Sequence, residues 1–103
     1  MFLQGRGIGH ILLEKIKEWA VSKEYEGIMI EVESEETTYN NLRIHFWKKC
    51  GFEILADYTH QYIWVPEPYK AMWYPLGPNA KTMNDGREAF RHITEFHRQS
   101  FRK

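Results

Sequence analysis

The chain has 103 residues and a formal net charge of zero, and 43% of its residues are hydrophobic. That length provides one small domain with a packed core. The balanced charge gives no support to nucleic-acid binding, and no apolar run is long enough to cross a membrane. The single cysteine, Cys50, excludes an internal disulfide framework. We therefore expect a cytoplasmic protein that binds neither nucleic acid nor a membrane.

The N-terminal third of the chain predicts a helix followed by a strand. After three closely spaced glycines, apolar residues recur every three or four positions as far as Ser22, which predicts an amphipathic helix. The predicted apolar stripe contains Ile8, Ile11, Leu12, Ile16, Trp19 and Ala20. A short strand follows at Ile28, Met29, Ile30 and Val32, apolar on both faces at first, and this pattern predicts a strand that helices cover.

A second helix is predicted between a threonine cap and a glycine. Either Thr37 or Thr38 is expected to cap its N-terminus, and Gly51 to end it. Its predicted apolar stripe contains Tyr39, Leu42, Phe46 and Cys50, with Ile44 and Trp47 alongside.

The remaining residues predict a β-hairpin and a third helix. Residues 52–65 and 70–76 are the two predicted strands, and the prolines at 66 and 68 place the connection between them outside the sheet. Asp85 with Glu88 resembles a capping box. The apolar stripe that follows contains Ala89, Phe90, Ile93, Phe96 and Phe101. The predicted order, helix–strand–helix–strand–strand–helix, belongs to the α/β or α+β class.

The stretch Gln4-Gly5-Arg6-Gly7-Ile8-Gly9 has the composition of an anion-binding loop. Glycines let backbone N–H groups approach a ligand, and the helix that follows adds the positive end of its dipole. A P-loop would need a Gly-Lys-Ser/Thr ending, which the chain lacks. A dinucleotide fingerprint would need a preceding strand and a glycine where His10 stands, although Glu31 lies where that fingerprint has its acid.

Two motifs together resemble a known family. The glycine stretch is similar to the acetyl-CoA loop of the GNAT family of N-acetyltransferases, whose pattern is Gln/Arg-x-x-Gly-x-Gly/Ala. The stretch NNLRIHFWKKCGF is similar to the family's other signature helix, Asn-x-x-Ala-x-x-Phe-Tyr-x-Lys-x-Gly-Phe. The positions that match this second pattern are Asn40, Phe46, Lys49, Gly51 and Phe52. One predicted strand separates the two motifs, as in the family, and the resemblance covers about residues 3–77.

The resemblance implies a fold and a cofactor. The implied fold is a truncated acyl-CoA N-acyltransferase fold in the order (β)-α-β-α-β-β-α, with a mixed sheet and an extra C-terminal helix. Residues 1–77 would form the acetyl-CoA-binding half of the domain, and residues 78–103 a helical extension. Acetyl-CoA would be the co-substrate, without a metal. The implied CoA-binding residues are Gln4, Arg6, Gly7, Ile8, Gly9 and His10, mostly through backbone amides, and Asn40 on the pantetheine arm.

Three residues depart from the family's pattern or bear on its chemistry. Trp47 stands where many members have a tyrosine that protonates the departing thiolate, and an indole N–H cannot serve as that acid. Tyr39 lies two turns earlier on nearly the same helical face, where packing against the hairpin is the expected role. Arg43 replaces a small residue and would either crowd or pair with CoA or face solvent. The catalytic residues are therefore left unassigned.

The family's usual N-terminal strands and helices have no counterpart before the glycine stretch, except for residues 1–3 as the end of a strand. A half-sheet exposes an edge and an apolar face, so we expect two chains to associate as a homodimer. The expected function is transfer of an acetyl group to a primary amine. The alternative is a non-catalytic remnant that binds acyl-CoA or only mediates oligomerisation.

Other polar residues give weaker signals. His92 and His97 are five positions apart on a helix, so they diverge and do not predict a metal site. The acidic residues between 31 and 36 either attract a cationic acceptor, with Glu33 as a base, or form a solvated loop. Cys50 is expected to be a buried small hydrophobe.

Overall fold

The computed structural model describes residues 1–3, 9–77 and 85–101. In chain order the elements are α1 (His10–Ser22), β1 (Gly27–Glu33), α2 (Thr38–Lys49), β2 (Glu53–Gln61), β3 (Pro68–Pro75) and α3 (Gly86–Phe101). The predicted mixed α/β class and element order are confirmed. Within these residues no helix has the length and apolarity needed to span a bilayer.

The sheet has the order β1-β3-β2, and β3 is antiparallel to both neighbours. Strands β1 and β2 are therefore parallel to each other with β3 inserted between them. A parallel bridge from Phe2 to Met29 adds the N-terminal residues at the free edge of β1. The three-stranded sheet is therefore antiparallel and not mixed as predicted, and the parallel contact at Phe2 is an isolated bridge outside its named strands.

The predicted strand over residues 52–65 is too long, because β2 ends at Gln61. The Gln61 side-chain amide donates to the carbonyls of Val65 at 3.0 Å and Pro66 at 2.7 Å, which closes the connection as a turn. Pro68 opens β3, where a missing N–H is tolerated. Periodicity over aromatic residues could not show where this side-chain closure replaces strand pairing.

Helices α1 and α2 pack on one face of the sheet. The buried residues of this core are Leu13, Ala20, Ile28, Ile30, Val32, Trp47, Cys50, Phe52 and Met72. The predicted stripe of α1 is wrong in phase, because Ile11, Leu12 and Trp19 are exposed and the buried positions include Lys17. Lys17 is buried since its ammonium donates to the Cys50 carbonyl at 2.7 Å and lies over the Tyr74 ring.

The predicted stripe of α2 is also wrong in phase. Tyr39 and Leu42 are exposed, whereas Asn40 and Trp47 are the buried positions. The ends of the helix are as expected. Thr37 caps the N-terminus through its side-chain oxygen, and Gly51 follows the C-terminus at φ +95°, where a side chain would be strained.

Helix α3 covers the opposite face of the sheet. The buried residues there are Met29, Leu55, Ala71, Trp73, Ala89, Phe90 and Ile93, whereas Phe96 is partly exposed and the Phe101 side chain lies outside the described residues. Asp85 caps the N–H of Arg87 at 2.9 Å, and the Asp57 carboxylate of β2 accepts from the Gly86 N–H at 3.0 Å. Glu88 contacts Arg91 at 2.6 Å, so its carboxylate pairs along the helix.

Candidate functional site

The N-terminal residues run parallel to β1 just before the glycine stretch. The Leu3 N–H donates to the Met29 carbonyl at 2.8 Å, and the Met29 N–H donates to the Met1 carbonyl at 2.7 Å. Helix α1 follows this short segment and α2 follows β1. Because the two segments are parallel, their carboxyl ends lie at the same edge of the sheet, and both helices begin there. This is the edge at which α/β proteins bind phosphates and cofactors.

Four of the predicted CoA-binding residues, Gln4, Arg6, Gly7 and Ile8, lie outside the described residues. Gly9 is the N-cap of α1, so no side chain caps the helix at this position. The first turn of the helix carries no acidic residue. A Cβ at Gly9 would meet nothing within 4 Å. The N-terminus of α1, with His10 as its first residue, therefore keeps its positive dipole end free of a neighbouring carboxylate from its own first turn.

Asn40 is nearly fully buried at the first turn of α2. Its N–H donates to the Thr37 hydroxyl at 3.0 Å, and its side-chain amide donates to the Glu35 carbonyl at 3.0 Å. The second contact joins the helix to the loop after β1. Asn40 is thereby held at the same edge of the sheet as the start of α1, and contact with a pantetheine arm remains a prediction.

The aromatic residues at and near the position of the family's general acid make packing or surface contacts. Trp47 is 3% exposed and packs edge-on against Phe46 and Phe52, with ring centroids 5.3 and 5.1 Å away. Tyr39 is exposed, so its predicted packing against the hairpin is wrong. The Arg43 guanidinium lies 5.6 Å from the Tyr39 ring centroid, in a surface cation–π contact.

A polar cluster on the α3 face was not found by sequence reasoning. The Tyr62 hydroxyl donates to Glu31 Oε2 at 2.6 Å, and His97 Nε2 lies 3.2 Å from Glu31 Oε1. The side chains of His97 and Glu31 are only 24% and 19% exposed. Burial, reinforced by the hydrogen bond to Glu31, raises the pKa of Tyr62 far above its ordinary value, so the phenol stays a donor.

The residues of this cluster are far apart in the sequence, which is why spacing did not reveal it. Glu31 and His97 are 66 positions apart. Their juxtaposition depends on α3 packing across the sheet, and the only signal was an acidic residue within an otherwise apolar strand. Glu31 therefore belongs to β1, and the interpretation of it as part of a solvated loop is wrong.

A second histidine lies beside the cluster. His60 stacks on Phe90 with ring centroids 4.7 Å apart, and its Nδ1 shares a hydrogen bond of 3.0 Å with the Tyr58 hydroxyl. Burial lowers the pKa of His60 below its ordinary value, although the charge of Glu31 opposes this shift. His60 is therefore neutral at neutral pH.

A cavity of about 620 Å³ opens between the end of β2 and α3. Its lining residues are His60, Gln61, Tyr62, Ile63, Trp64, Thr94, His97 and Arg98. The volume is within the usual range of small-molecule sites. Among the described residues, no group of three or more His, Cys, Asp or Glu side chains is arranged to hold a metal ion.

The comparisons agree with this architecture. The model of the Acetyltransferase (GNAT) family matches residues 2–52. Over 51 residues the chain is 35% identical to streptothricin acetyltransferase of Escherichia coli, a match that covers 50% of this chain and 27% of that protein. No solved structure matches.

The matched residues contain the N-terminal β segment, α1, β1 and α2, which form one parallel β-α-β-α unit. The chain belongs to the GNAT acetyltransferase family. It spans about a quarter of the length of the relative that it matches. Membership implies acetyl-CoA as the co-substrate. The elements β2, β3 and α3 lie beyond the matched residues.

Proposed function

We propose that the chain binds acetyl-CoA and takes part in transfer of the acetyl group to a primary amine. One observation carries the proposal: the β segment at residues 1–3 is parallel to β1, so α1 and α2 begin at one edge of the sheet. Backbone amides of the glycine stretch would bind the pyrophosphate, as the family resemblance implies. Asn40, fixed at the start of α2, would contact the pantetheine arm.

The proposed mechanism is direct attack of a neutral amine on the thioester carbon. A backbone N–H of the central strand would stabilise the oxyanion that forms. Trp47 is buried among aromatic rings and cannot protonate the departing thiolate. Water or the amine itself would supply that proton.

Titration calorimetry with acetyl-CoA tests the binding step. We expect the wild-type chain to bind and a Gly7→Asp variant to lose binding, because the added carboxylate repels phosphate and its Cβ blocks close approach. Ser22→Asp is the matched control, since it adds the same charge at the opposite end of α1. Absence of wild-type binding, or equal loss in the control, would contradict the proposal.

The transfer step is tested by mass spectrometry of the acceptor. Streptothricin, which the relative's name identifies as its substrate, is the first primary amine to assay. An acetylated product supports the enzyme. Acetyl-CoA binding without transfer to streptothricin or to other primary amines would favour the alternative function, a non-catalytic acyl-CoA-binding chain. The replacement at Trp47 is the observation that favours this alternative.

We also propose that two chains associate. The exposed apolar residues Ile11, Leu12 and Trp19 lie on α1 and provide an apolar surface for that association. Light scattering after size-exclusion chromatography would report a dimer mass, and Leu12→Lys would shift the mass toward the monomer. A monomer mass for the wild-type chain would contradict this proposal.

A further inference from the structure

The cavity beside α3 has aromatic walls and an apolar mouth. The rings of Tyr62 and Trp64 are stacked with centroids 5.8 Å apart, and both line the cavity. Ile63 and Trp64 are strongly exposed at its mouth. Walls of this kind favour a ligand with a flat apolar body, because such a body gains contact area on each ring.

A carboxylate–histidine pair lies at the base of this wall. His97 lines the cavity, and its Nε2 is held 3.2 Å from Glu31 Oε1. An ionised carboxylate only accepts hydrogen bonds, so in the neutral ring Nε2 carries the proton and Nδ1 keeps the lone pair. The Tyr62 hydroxyl occupies the other Glu31 oxygen at 2.6 Å. A histidine oriented in this way can accept a proton.

The pair lies next to the proposed cofactor site. Phe2 is bridged to Met29, and its ring packs against His97 with centroids 5.6 Å apart. Glu31 is two residues beyond Met29 and therefore on the same face of β1. The histidine thus lies beside the strand segment that leads directly into the glycine stretch.

Resting on the proposed acetyltransferase function, we propose that this cavity is the acceptor site for a primary amine with a flat apolar body, and that His97 is its base.

His97 Nδ1 takes one proton from the ammonium group of the acceptor. The amine lone pair then attacks the acetyl carbonyl carbon, forming the C–N bond. The C–S bond breaks, the sulfur leaves with the electron pair, and the second nitrogen proton goes to the thiolate. His97 returns its proton to solvent. Glu31 is a positioning residue that fixes the ring of His97.

The charges around the pair suit this role. The titratable and charged groups near the pair are Tyr58, His60, Tyr62 and Tyr69 from the hairpin, and Arg98 of α3, which lines the cavity. Arg98 donates to Glu95 at 2.9 Å, so its charge at the cavity rim is paired. Because burial lowers the pKa of His60, its ring adds no positive charge that would repel an ammonium group at neutral pH.

Direct binding tests the cavity without any transfer step. We expect the full chain to bind phenethylamine more tightly than ethylamine, which carries the same ammonium group without the ring. Trp64→Ala should weaken phenethylamine binding about tenfold, by loss of one aromatic contact. Tyr39→Ala removes an exposed aromatic ring on α2, on the other face, and is the matched control. Equal affinity for the two amines, or no effect of Trp64→Ala, would overturn the acceptor site.

The pH dependence of acetyl transfer to phenethylamine tests the base. The wild-type rate should fall on the acid side of the pH profile, because a protonated imidazole ring accepts no proton. His97→Gln should lower kcat about 10²–10⁴-fold and remove that acid limb. Glu31→Gln should shift the limb. His92→Gln, on the same helix and exposed, is the control that leaves kcat and the limb unchanged.

The measurements separate this inference from the proposed function. Retained phenethylamine binding by His97→Gln shows that the variant is folded. An unchanged acid limb in His97→Gln, or no acetylated phenethylamine from a wild-type chain that binds both ligands, would overturn the base. Failure of acetyl-CoA binding in calorimetry would overturn the proposed function instead, whatever the cavity binds.

Discussion

The two faces of the sheet are packed with different chemistry. On the face of α1 and α2, the core is mainly aliphatic and is represented by Leu13 and Ile30, both essentially without exposed surface. On the face of α3, aromatic rings, histidines and a carboxylate meet, with Phe90 stacked on His60 and Glu31 nearby. One face is therefore a hydrophobic core that contains one buried ammonium group, that of Lys17, and the other is a core that is interrupted by a carboxylate–histidine site.

Strand β1 shows how one strand serves both faces. Ile30 and Glu31 are adjacent, and successive side chains point to opposite faces, so one enters each layer. A carboxylate in this position is costly unless it is hydrogen-bonded. Tyr62 and His97 supply those partners from the hairpin and from α3. The C-terminal helix thus does more than cover apolar surface, since it completes the surroundings of a charge in the sheet.

The largest effect is expected when one buried side chain on each face of the sheet is truncated to alanine. Leu13→Ala on α1 and Ile93→Ala on α3 remove completely buried side chains, and each should lower the free energy of unfolding by about 2–5 kcal/mol. Urea denaturation measures both. Val21→Ala, at an exposed position of the same helix as Leu13, is the control and should change little. A small loss for Ile93→Ala alone would show that α3 does not contribute to the cooperative core.

A smaller effect is expected at the single ammonium group in the aliphatic layer. Lys17→Met keeps most of the buried stem but removes the hydrogen bond to the Cys50 carbonyl, and should cost about 1.5–3 kcal/mol. Lys15→Met on the exposed side of α1 is the control. The comparison uses urea denaturation of both variants, and equal stability of the two would mean that the contact between α1 and the end of α2 is not stabilising.

The order and type of the elements were predictable because they depend on local patterns, such as the cap at Thr37 and the glycine at position 51. The faces of the helices were less predictable. Periodicity treats every apolar residue alike, whereas the buried face of α1 includes Lys17, whose ammonium has a specific acceptor. The site on the α3 face was not predictable at all, since Glu31 and His97 meet only through tertiary packing.

The start of α2 should show an effect of intermediate size that links stability to cofactor binding. Thr37→Ala removes the cap oxygen that accepts from the Asn40 N–H, and should cost about 1 kcal/mol. Thr38→Ala is the matched control, because the helix uses Thr37 as its cap. Thermal unfolding measures the loss. If Asn40 contacts the cofactor, the affinity for acetyl-CoA should also fall in Thr37→Ala and not in the control.

The smallest expected effect is a pH dependence that arises from His60 on the α3 face. Burial lowers the pKa of His60 from the ordinary 6.5, so the unfolded chain binds a proton at a higher pH than the folded chain does. The contribution of His60 to stability is therefore full above pH 6.5 and falls as the pH decreases toward the folded pKa.

His60→Phe keeps a flat ring against Phe90 without a titrating nitrogen, and should show a smaller decrease in Tm on acidification. His92→Phe, at an exposed position of α3, is the control and should keep the wild-type decrease. Equal decreases in both variants would show that the α3 face contributes no pH sensitivity, and that the two layers differ in composition but not in their response to protons.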